Sequence, residues 1–302
     1  MNTALALRAG GCMKIALHNT DRTAFPNLAL LKLSAWHKAR GDDVSAYCAL
    51  FTYDRVYSAK VFTWTPTDPY LPQHTIRGGT GYGINDTLPE EIEHTCPDYT
   101  GLNYSLGFLT RGCIRACAWC IVPEKEGPIR AHADIEEFCR HRDVVLMDNN
   151  VLAHPHGISQ IEKMARLGLR VDFNQGLDGR LIDPAIARRL AALRWLQPLR
   201  LACDHKSQMP DVELAVRLLR TAGAKPRRYS CYVLVRDVPD ALERVEFLRT
   251  LNMTPFAQPY RDTAGTPITQ EQRHFSRWVN IKKLFRTVAW EREARHRGAA
   301  HA

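Results

Sequence analysis

The sequence predicts an α/β chain. Its centre, residues 96–262, reads as an open, partial (β/α)6 TIM-like barrel. A small Rossmann-like α/β domain over 13–95 precedes it, and a basic C-terminal helix over 263–302 follows. Two observations carry this. After Pro97, apolar runs of strand length alternate with helix-period segments six times, which implies parallel strands joined by right-handed crossovers. Six such units make an open barrel, short of the closed eightfold one. The 302 residues suit one large domain or two ordinary ones, and at 45% hydrophobic they can bury a sizeable core.

In chain order, residues 1–12 (MNTALALRAGGC) read as an extended, unstructured start. They carry only Arg8 and are too short for a signal peptide. Ala9-Gly10-Gly11-Cys12 resembles a lipoprotein cleavage site, but the hydrophobic run before it is too brief. Translation from either Met1 or Met13 fits this segment. Met13–His18 reads as a strand. Asn27–Arg40 reads as a helix capped by Asn27 and stopped by Gly41, with Leu28, Leu31 and Ala35 on one face. Strands follow at Val44–Tyr47 and near Val56–Phe62. Thr65–Gln73, with three prolines, is a linker or surface loop. Thr75–Gly83 places four glycines in six residues, a loop that approaches a ligand or a neighbouring backbone closely. It lacks the spacing of a dinucleotide fingerprint.

The barrel strands are Leu106–Leu109, Val144–Met147, Leu169–Phe173, Leu199–Cys203, Tyr229–Val235 and Pro255–Ala257. Asp134 with Glu137 forms a capping box at the first helix. Gly157–Leu167 is the second helix. Asp183 caps the third, with Pro184 at its first position. Asp211–Ala222 and Asp240–Leu251 complete the set. Gln270–Arg297 reads as one long terminal helix that starts on a Thr269–Gln272 capping box. Phe275, Trp278, Val279, Ile281, Leu284, Phe285 and Val288 give it an apolar face.

The net charge of +9 is lopsided. Residues 1–100 hold nine Lys/Arg and ten Asp/Glu, whereas residues 101–302 hold thirty-two and twenty-two. The excess hints at an anionic partner for the second part. No run of eighteen apolar residues appears, so no membrane span is expected. Nine cysteines, an odd number unevenly spread, do not read as a disulfide framework. Cys48, Cys96, Cys139, Cys203 and Cys231 read as free thiols in a reducing cytoplasm.

The most informative stretch is Ser105–Gly127, where Cys113, Cys117 and Cys120 stand in a C-x3-C-x2-C spacing just after the first barrel strand. Gly112 allows a sharp turn there. Three thiolates can hold three irons of a [4Fe–4S] cubane and leave the fourth iron open, whereas a structural cluster normally takes four cysteines. A zinc site would need further ligands, and no nearby C-x2-C or H-x3-H supplies them. Cys117 and Cys120 alone would make a redox C-x-x-C, which needs no third cysteine. Three unrelated buried cysteines would poorly explain three thiols in eight residues flanked by Arg111, Arg115 and Lys125.

At these residues the chain resembles the radical S-adenosylmethionine superfamily, whose signature is C-x3-C-x2-C after the first barrel strand, often with an aromatic residue before the last cysteine; here that residue is Trp119. The resemblance implies that Cys113, Cys117 and Cys120 ligate a [4Fe–4S] cluster. S-adenosylmethionine would bind the remaining iron through its amino and carboxylate groups, and one electron would split it into methionine and a 5′-deoxyadenosyl radical. It further implies a one-electron reductant such as flavodoxin or ferredoxin. The residues before the barrel resemble the cobalamin-binding-like domain found in some members, but the D-x-H-x-x-G cobalt-ligand motif is missing: His18 stands in ALHNTD. A degenerate domain without cobalamin is therefore expected.

Polar clusters recur at the carboxyl ends of the barrel strands, where parallel α/β folds place function. They are Asp148-Asn149-Asn150, the stretch Asn174–Arg180, Asp204-His205-Lys206, Arg236-Asp237 and Gln258–Arg261. S-adenosylmethionine needs partners for an ammonium, a carboxylate, a ribose diol and an adenine. Family members often carry Gly-Gly-Glu after the second strand, where this chain has Asp148, Asn149 and Asn150. Those three, with Gln175, Asp178 and Arg180, are the candidate cofactor pocket. Asp204, His205 and Tyr260 stand as cofactor or substrate residues. A rival reading is a nucleic-acid-binding protein with a structural cluster, using Arg188, Arg189, Arg194, Arg200, Lys225, Arg227 and Arg228. The two merge in an enzyme that modifies RNA. The substrate itself is not legible, and the tail has no cysteine for a second cluster.

Overall fold

The computed structural model describes residues 11–225, 229–262 and 265–299. They divide into two compact units, parted between Leu102 and Asn103. Most of the expected extended start, and the basic residues Arg227 and Arg228, lie outside the described residues.

The first unit holds β1 (Lys14–Asn19), α1 (Leu28–Lys38), β2 (Asp43–Ala46), β3 (Arg55–Ala59), β4 (Ile76–Gly78) and α2 (Glu90–Glu93). Its strands pair in parallel in the order β2-β1-β3-β4. Strand side chains alternate between faces. Ile15 and Tyr57 therefore pack with Leu30, Leu33 and Trp36 on one side, while Ala16 and Val56 pack with Leu71 on the other. Asn27 caps α1 as expected, accepting from the Leu30 amide. The glycine-rich stretch is in part β4. Gly79, at φ +96°, passes so close to Lys60 that a Cβ would sit 2.6 Å from the Lys60 carbonyl oxygen. Of its two expected uses, close backbone approach is the one seen.

The second unit begins with β5 (Ser105–Gly107), β6 (Thr110–Arg111), α3 (Val122–Lys125), β7 (Arg130–Ala131), α4 (Ile135–Phe138) and β8 (Asp143–Leu146). It continues with α5 (Pro155–Arg166), β9 (Arg170–Phe173), α6 (Pro184–Ala191), β10 (Arg194–Trp195), β11 (Arg200–Ala202), α7 (Met209–Thr221) and β12 (Ser230–Val235). Then come α8 (Val238–Thr250), β13 (Thr254–Pro259), α9 (Gln270–Asn280), α10 (Lys282–Thr287) and α11 (Trp290–Ala299). The capping box at Asp134 and the caps of Asp183 and Thr269 form as read.

All six expected barrel strands are present, and those that pair do so in parallel. They do not form one uninterrupted sheet. β10-β9-β8-β5 make one and β11-β12-β13 another. At the seam β10 takes the edge of β9, and an isolated parallel bridge, Leu177 to Leu201, ties the loop after β9 to β11. The Leu177 amide donates to the Arg200 carbonyl at 2.8 Å. Asp172 and Arg200 form a nearly buried ion pair across the same seam.

On the smaller sheet, burial alternates along β12 and through β13 as far as Gln258. Cys231, Val233, Val235 and Ala257 are buried in a core shared with Val238, Ala241, Val245 and Leu248 of α8. Tyr232, Leu234, Phe256 and Gln258 occupy the alternate positions and line an open cleft. The edge of β13 is capped by Asn280, whose amide both donates to and accepts from the Ala257 backbone.

The tail departs from expectation. It is three helices, broken at Ile281 (ψ 91°) and Val288 (ψ 127°), not one. The breaks let Phe285 and Trp290 fold back onto Phe275 and Trp278, with ring centroids 5.1–5.6 Å apart. The Trp278 indole then donates to the Val288 carbonyl at 3.0 Å. Each such buried ring contributes about 2 kcal/mol, against a net value of about 1 kcal/mol for each missing helical bond.

Candidate functional site

The site is built at the carboxyl end of β5. The chain runs from β5 through Leu109 into the β6–β7 ribbon, whose antiparallel pairs Thr110–Ala131 and Arg111–Arg130 bracket the cysteine loop. Asp148 pins the root of this loop. One of its oxygens accepts from the Leu109 amide at 3.1 Å, the Thr110 amide at 2.6 Å and the Thr110 hydroxyl at 2.7 Å. Burial pushes the Asp148 carboxyl up to about 6 even against these donors. Its oxygens are thus already engaged by the loop root.

Gly112 follows at φ +82°. A Cβ there would lie 2.2 Å from the Pro128 carbonyl oxygen, so only glycine lets the two ends of the loop meet. Glu126 ties them. It accepts from the Gly112 amide at 2.9 Å and from Asn149 at 2.9 Å, and it pairs with Arg111 at 2.9 Å. Sequence reading missed Glu126, although an acid in a loop flanked by Arg111, Arg115 and Lys125 was a signal for it.

Cys113 and Cys117 are half-buried and Cys120 is exposed. The Cys113 sulfur accepts from the Arg115 amide at 3.3 Å and from the Asn150 side-chain amide at 3.5 Å. Loss of water raises the thiols of Cys117 and Cys120 above their ordinary range; Cys113 pushes Cys117 further up, and Cys117 and Cys113 do the same to Cys120. Arg180 opposes this at Cys117.

Beside the thiols lies a charged knot centred on Asp178. Arg180 grips its carboxylate at 2.7 and 3.0 Å, and Arg115 reaches it at 3.0 Å. Burial raises the Asp178 carboxyl, but the two guanidiniums outweigh it and hold the group below the usual carboxylate range. Asn150, 4% exposed, spans from Cys113 to Asp178, donating to the latter at 3.3 Å. Its carbonyl oxygen is buried with no hydrogen-bond partner. Such an orphan acceptor costs about 1–3 kcal/mol and marks a place for an incoming donor.

Trp119 stacks near His205, with centroids 6.5 Å apart and planes 16° from parallel, and the Arg236 guanidinium lies 5.0 Å from its ring. Gln175 and Asp204 line a cleft of about 500 Å³ with Tyr232, Phe256 and Gln258. Burial raises the Asp204 carboxyl, which accepts from the Leu234 amide at 2.9 Å. Tyr260 joins the β12 end through its backbone, donating to the Val235 carbonyl, and is absent from the residues lining that cleft. Cys203 and Cys231 are fully buried, and burial drives the Cys203 thiol up to about 12. They are core residues.

The donor chemistry suits an iron–sulfur cluster: three thiols on one loop, N–H groups aimed at a sulfur, and a guanidinium to offset thiolate charge. Among the described residues, no group of three or more His, Cys, Asp or Glu side chains is arranged to hold a metal ion. No helix among them is long and apolar enough to cross a membrane.

No family model matches the chain, and no curated protein does. Among solved structures, it is similar to Streptococcus suis SuiB bound to S-adenosylmethionine, at 12% identity and TM-score 0.45, over 61% of this chain and 48% of that one. A second SuiB structure matches at 11% identity and TM-score 0.45, over 69% and 56%. The chain thus spans about half the length of these neighbours.

Proposed function

We propose that this chain is a radical S-adenosylmethionine enzyme that removes a hydrogen atom from its substrate, using a radical-forming domain of partial-barrel type. The observation that carries the reading is the C-x3-C-x2-C loop at the carboxyl end of the first parallel strand, backed by the unpartnered Asn150 carbonyl beside Cys113. Cys113, Cys117 and Cys120 would hold a [4Fe–4S] cluster. When bound, that cluster supplies the electron that splits S-adenosylmethionine into methionine and a 5′-deoxyadenosyl radical, with flavodoxin or ferredoxin as the class of reductant.

The chain's own residues bind and orient. Asn150 offers its carbonyl oxygen to the methionine ammonium, a cation that needs acceptors. Arg180 and Arg115, already on Asp178, are the guanidiniums for the carboxylate. Asn149 and Glu126 keep the loop closed around the thiols, and Asp148 holds its root. Trp119, with Gln175 and Asp204 in the neighbouring cleft, is the choice for the adenosine part. Tyr232, Leu234, Phe256 and Gln258 present the open inner face on which a substrate would lie, where exclusion of water protects a radical. The first unit is read as a degenerate cobalamin-binding-like domain.

The deciding experiment is anaerobic reconstitution with iron and sulfide, followed by dithionite and S-adenosylmethionine. A cluster absorbance and release of 5′-deoxyadenosine are expected. A reconstituted protein that yields no 5′-deoxyadenosine rejects the reading.

A further inference from the structure

We infer that an arginine-lined cleft at the amino ends of β8, β9 and β10 is a binding site for the phosphate groups of a nucleotide or nucleic-acid strand. The strands run in parallel, so this cleft lies at the end of the sheet opposite to the one that carries the cysteine loop. Its basis is independent of the reaction proposed above.

The cleft has a volume of about 660 Å³, inside the range of small-molecule sites, about 300–1,000 Å³. It is lined by Arg140 and Arg142 before β8, by Arg166 and Leu167 after α5, and by Arg194 at the start of β10. No carboxylate lines it. Arg140 is spent on the carbonyls that end α4, at 2.8–3.4 Å. Arg142, Arg166 and Arg194 are exposed, and none has an acidic partner among the described residues.

That absence separates them from Arg170, Arg189 and Arg200. Arg170 is paired with Asp143, Arg189 with Glu162 and Arg200 with Asp172. Arg189 and Arg200, which the sequence had grouped with Arg194 as one basic region, are thus neutralised in place, while Arg194 is not. Three open guanidiniums around one cleft repel one another, and an anion relieves that. Arginine forks match phosphate oxygens two at a time, which lysines cannot do. Leu167, 49% exposed on the rim, adds an apolar surface for a sugar or base. The residues from 101 onward hold thirty-two Lys/Arg against twenty-two Asp/Glu, a field that draws such a ligand in.

The test uses the full chain with two probes, a fluorescein-labelled oligouridylate read by anisotropy and ADP read by calorimetry. The variants are Arg142→Ala/Arg166→Ala/Arg194→Ala, the matching triple Lys variant, and Arg188→Ala as a control on an exposed arginine outside the cleft. Binding of at least one probe is expected. The triple Ala variant should bind about tenfold or more weakly, with a salt slope for the strand shallower by about 2. The triple Lys variant, which keeps the charge, should retain most of the slope and lose part of the affinity. Strand binding without ADP binding identifies a nucleic acid as the ligand; ADP binding identifies a free nucleotide. No binding of either probe at low salt overturns the inference, and so does a triple Ala variant that binds like wild type or loses no more than Arg188→Ala. Circular dichroism of each variant confirms the fold; should the triple Ala variant fail to fold, Arg142→Ala, Arg166→Ala and Arg194→Ala singly carry the comparison, each expected to weaken binding more than Arg188→Ala does.

Discussion

The side-chain amide of Asn150 donates to the Cys113 sulfur at 3.5 Å while its own carbonyl oxygen, buried, accepts from nothing. One end of the residue is tied to a proposed iron ligand and the other is left for a donor. Asn150→Leu keeps the shape and removes the orphan. Removing the orphan recovers about 1–3 kcal/mol, offset by the lost bond to the Asp178 carboxylate, about 1.5–3 kcal/mol. The melting temperature of the unloaded protein should stay close to that of wild type, while S-adenosylmethionine binding to reconstituted protein weakens by about tenfold or more. Unchanged affinity would remove Asn150 from the pocket.

Cys113→Ala, Cys117→Ala and Cys120→Ala should each abolish most bound iron and sulfide after anaerobic reconstitution. None of the three thiols is fully buried, so each melting temperature should stay within about 2 °C of wild type. Iron retained at the wild-type level in any one of them counts against that cysteine as a ligand.

Asp148 links the loop to pH. Its folded carboxyl is raised from 3.8 to about 6 by burial, so the native state binds the proton more tightly than the unfolded chain. The stabilisation this provides is complete below about pH 4 and is lost as pH rises through 6, a loss of about 3 kcal/mol. Asp148→Asn keeps an acceptor for Leu109 and Thr110 and cannot ionise. Urea unfolding between pH 4 and 7.5 should show wild type losing stability relative to the variant as pH rises. Parallel curves would refute it.

Gly112→Ala should cost about 2 kcal/mol or more, since it combines a positive φ with a methyl group aimed at the Pro128 carbonyl. Cluster loading should fall with it, because the Glu126 bond to the Gly112 amide closes the loop. A variant as stable as wild type would mean that the loop ends part readily.

Much of this protein was legible in its residues. Alternating apolar runs located the six strands, and Asn27, Asp134, Asp183 and Thr269 marked helix starts, because periodicity and capping act over a few neighbouring positions. The cysteine spacing put three thiols on one loop. Local pattern stopped at partners distant in the chain. Arg115 and Asp178 are 63 residues apart, and Thr110 and Asp148 are 38; their meeting depends on how β5, β8 and β9 align. That alignment engaged Asp148, left the Asn150 carbonyl bare and parted the sheet at β10. The tail shows the same division. Its aromatic residues were plain in the sequence, but burying Phe285 and Trp290 against Trp278 required two breaks that helical periodicity alone does not encode.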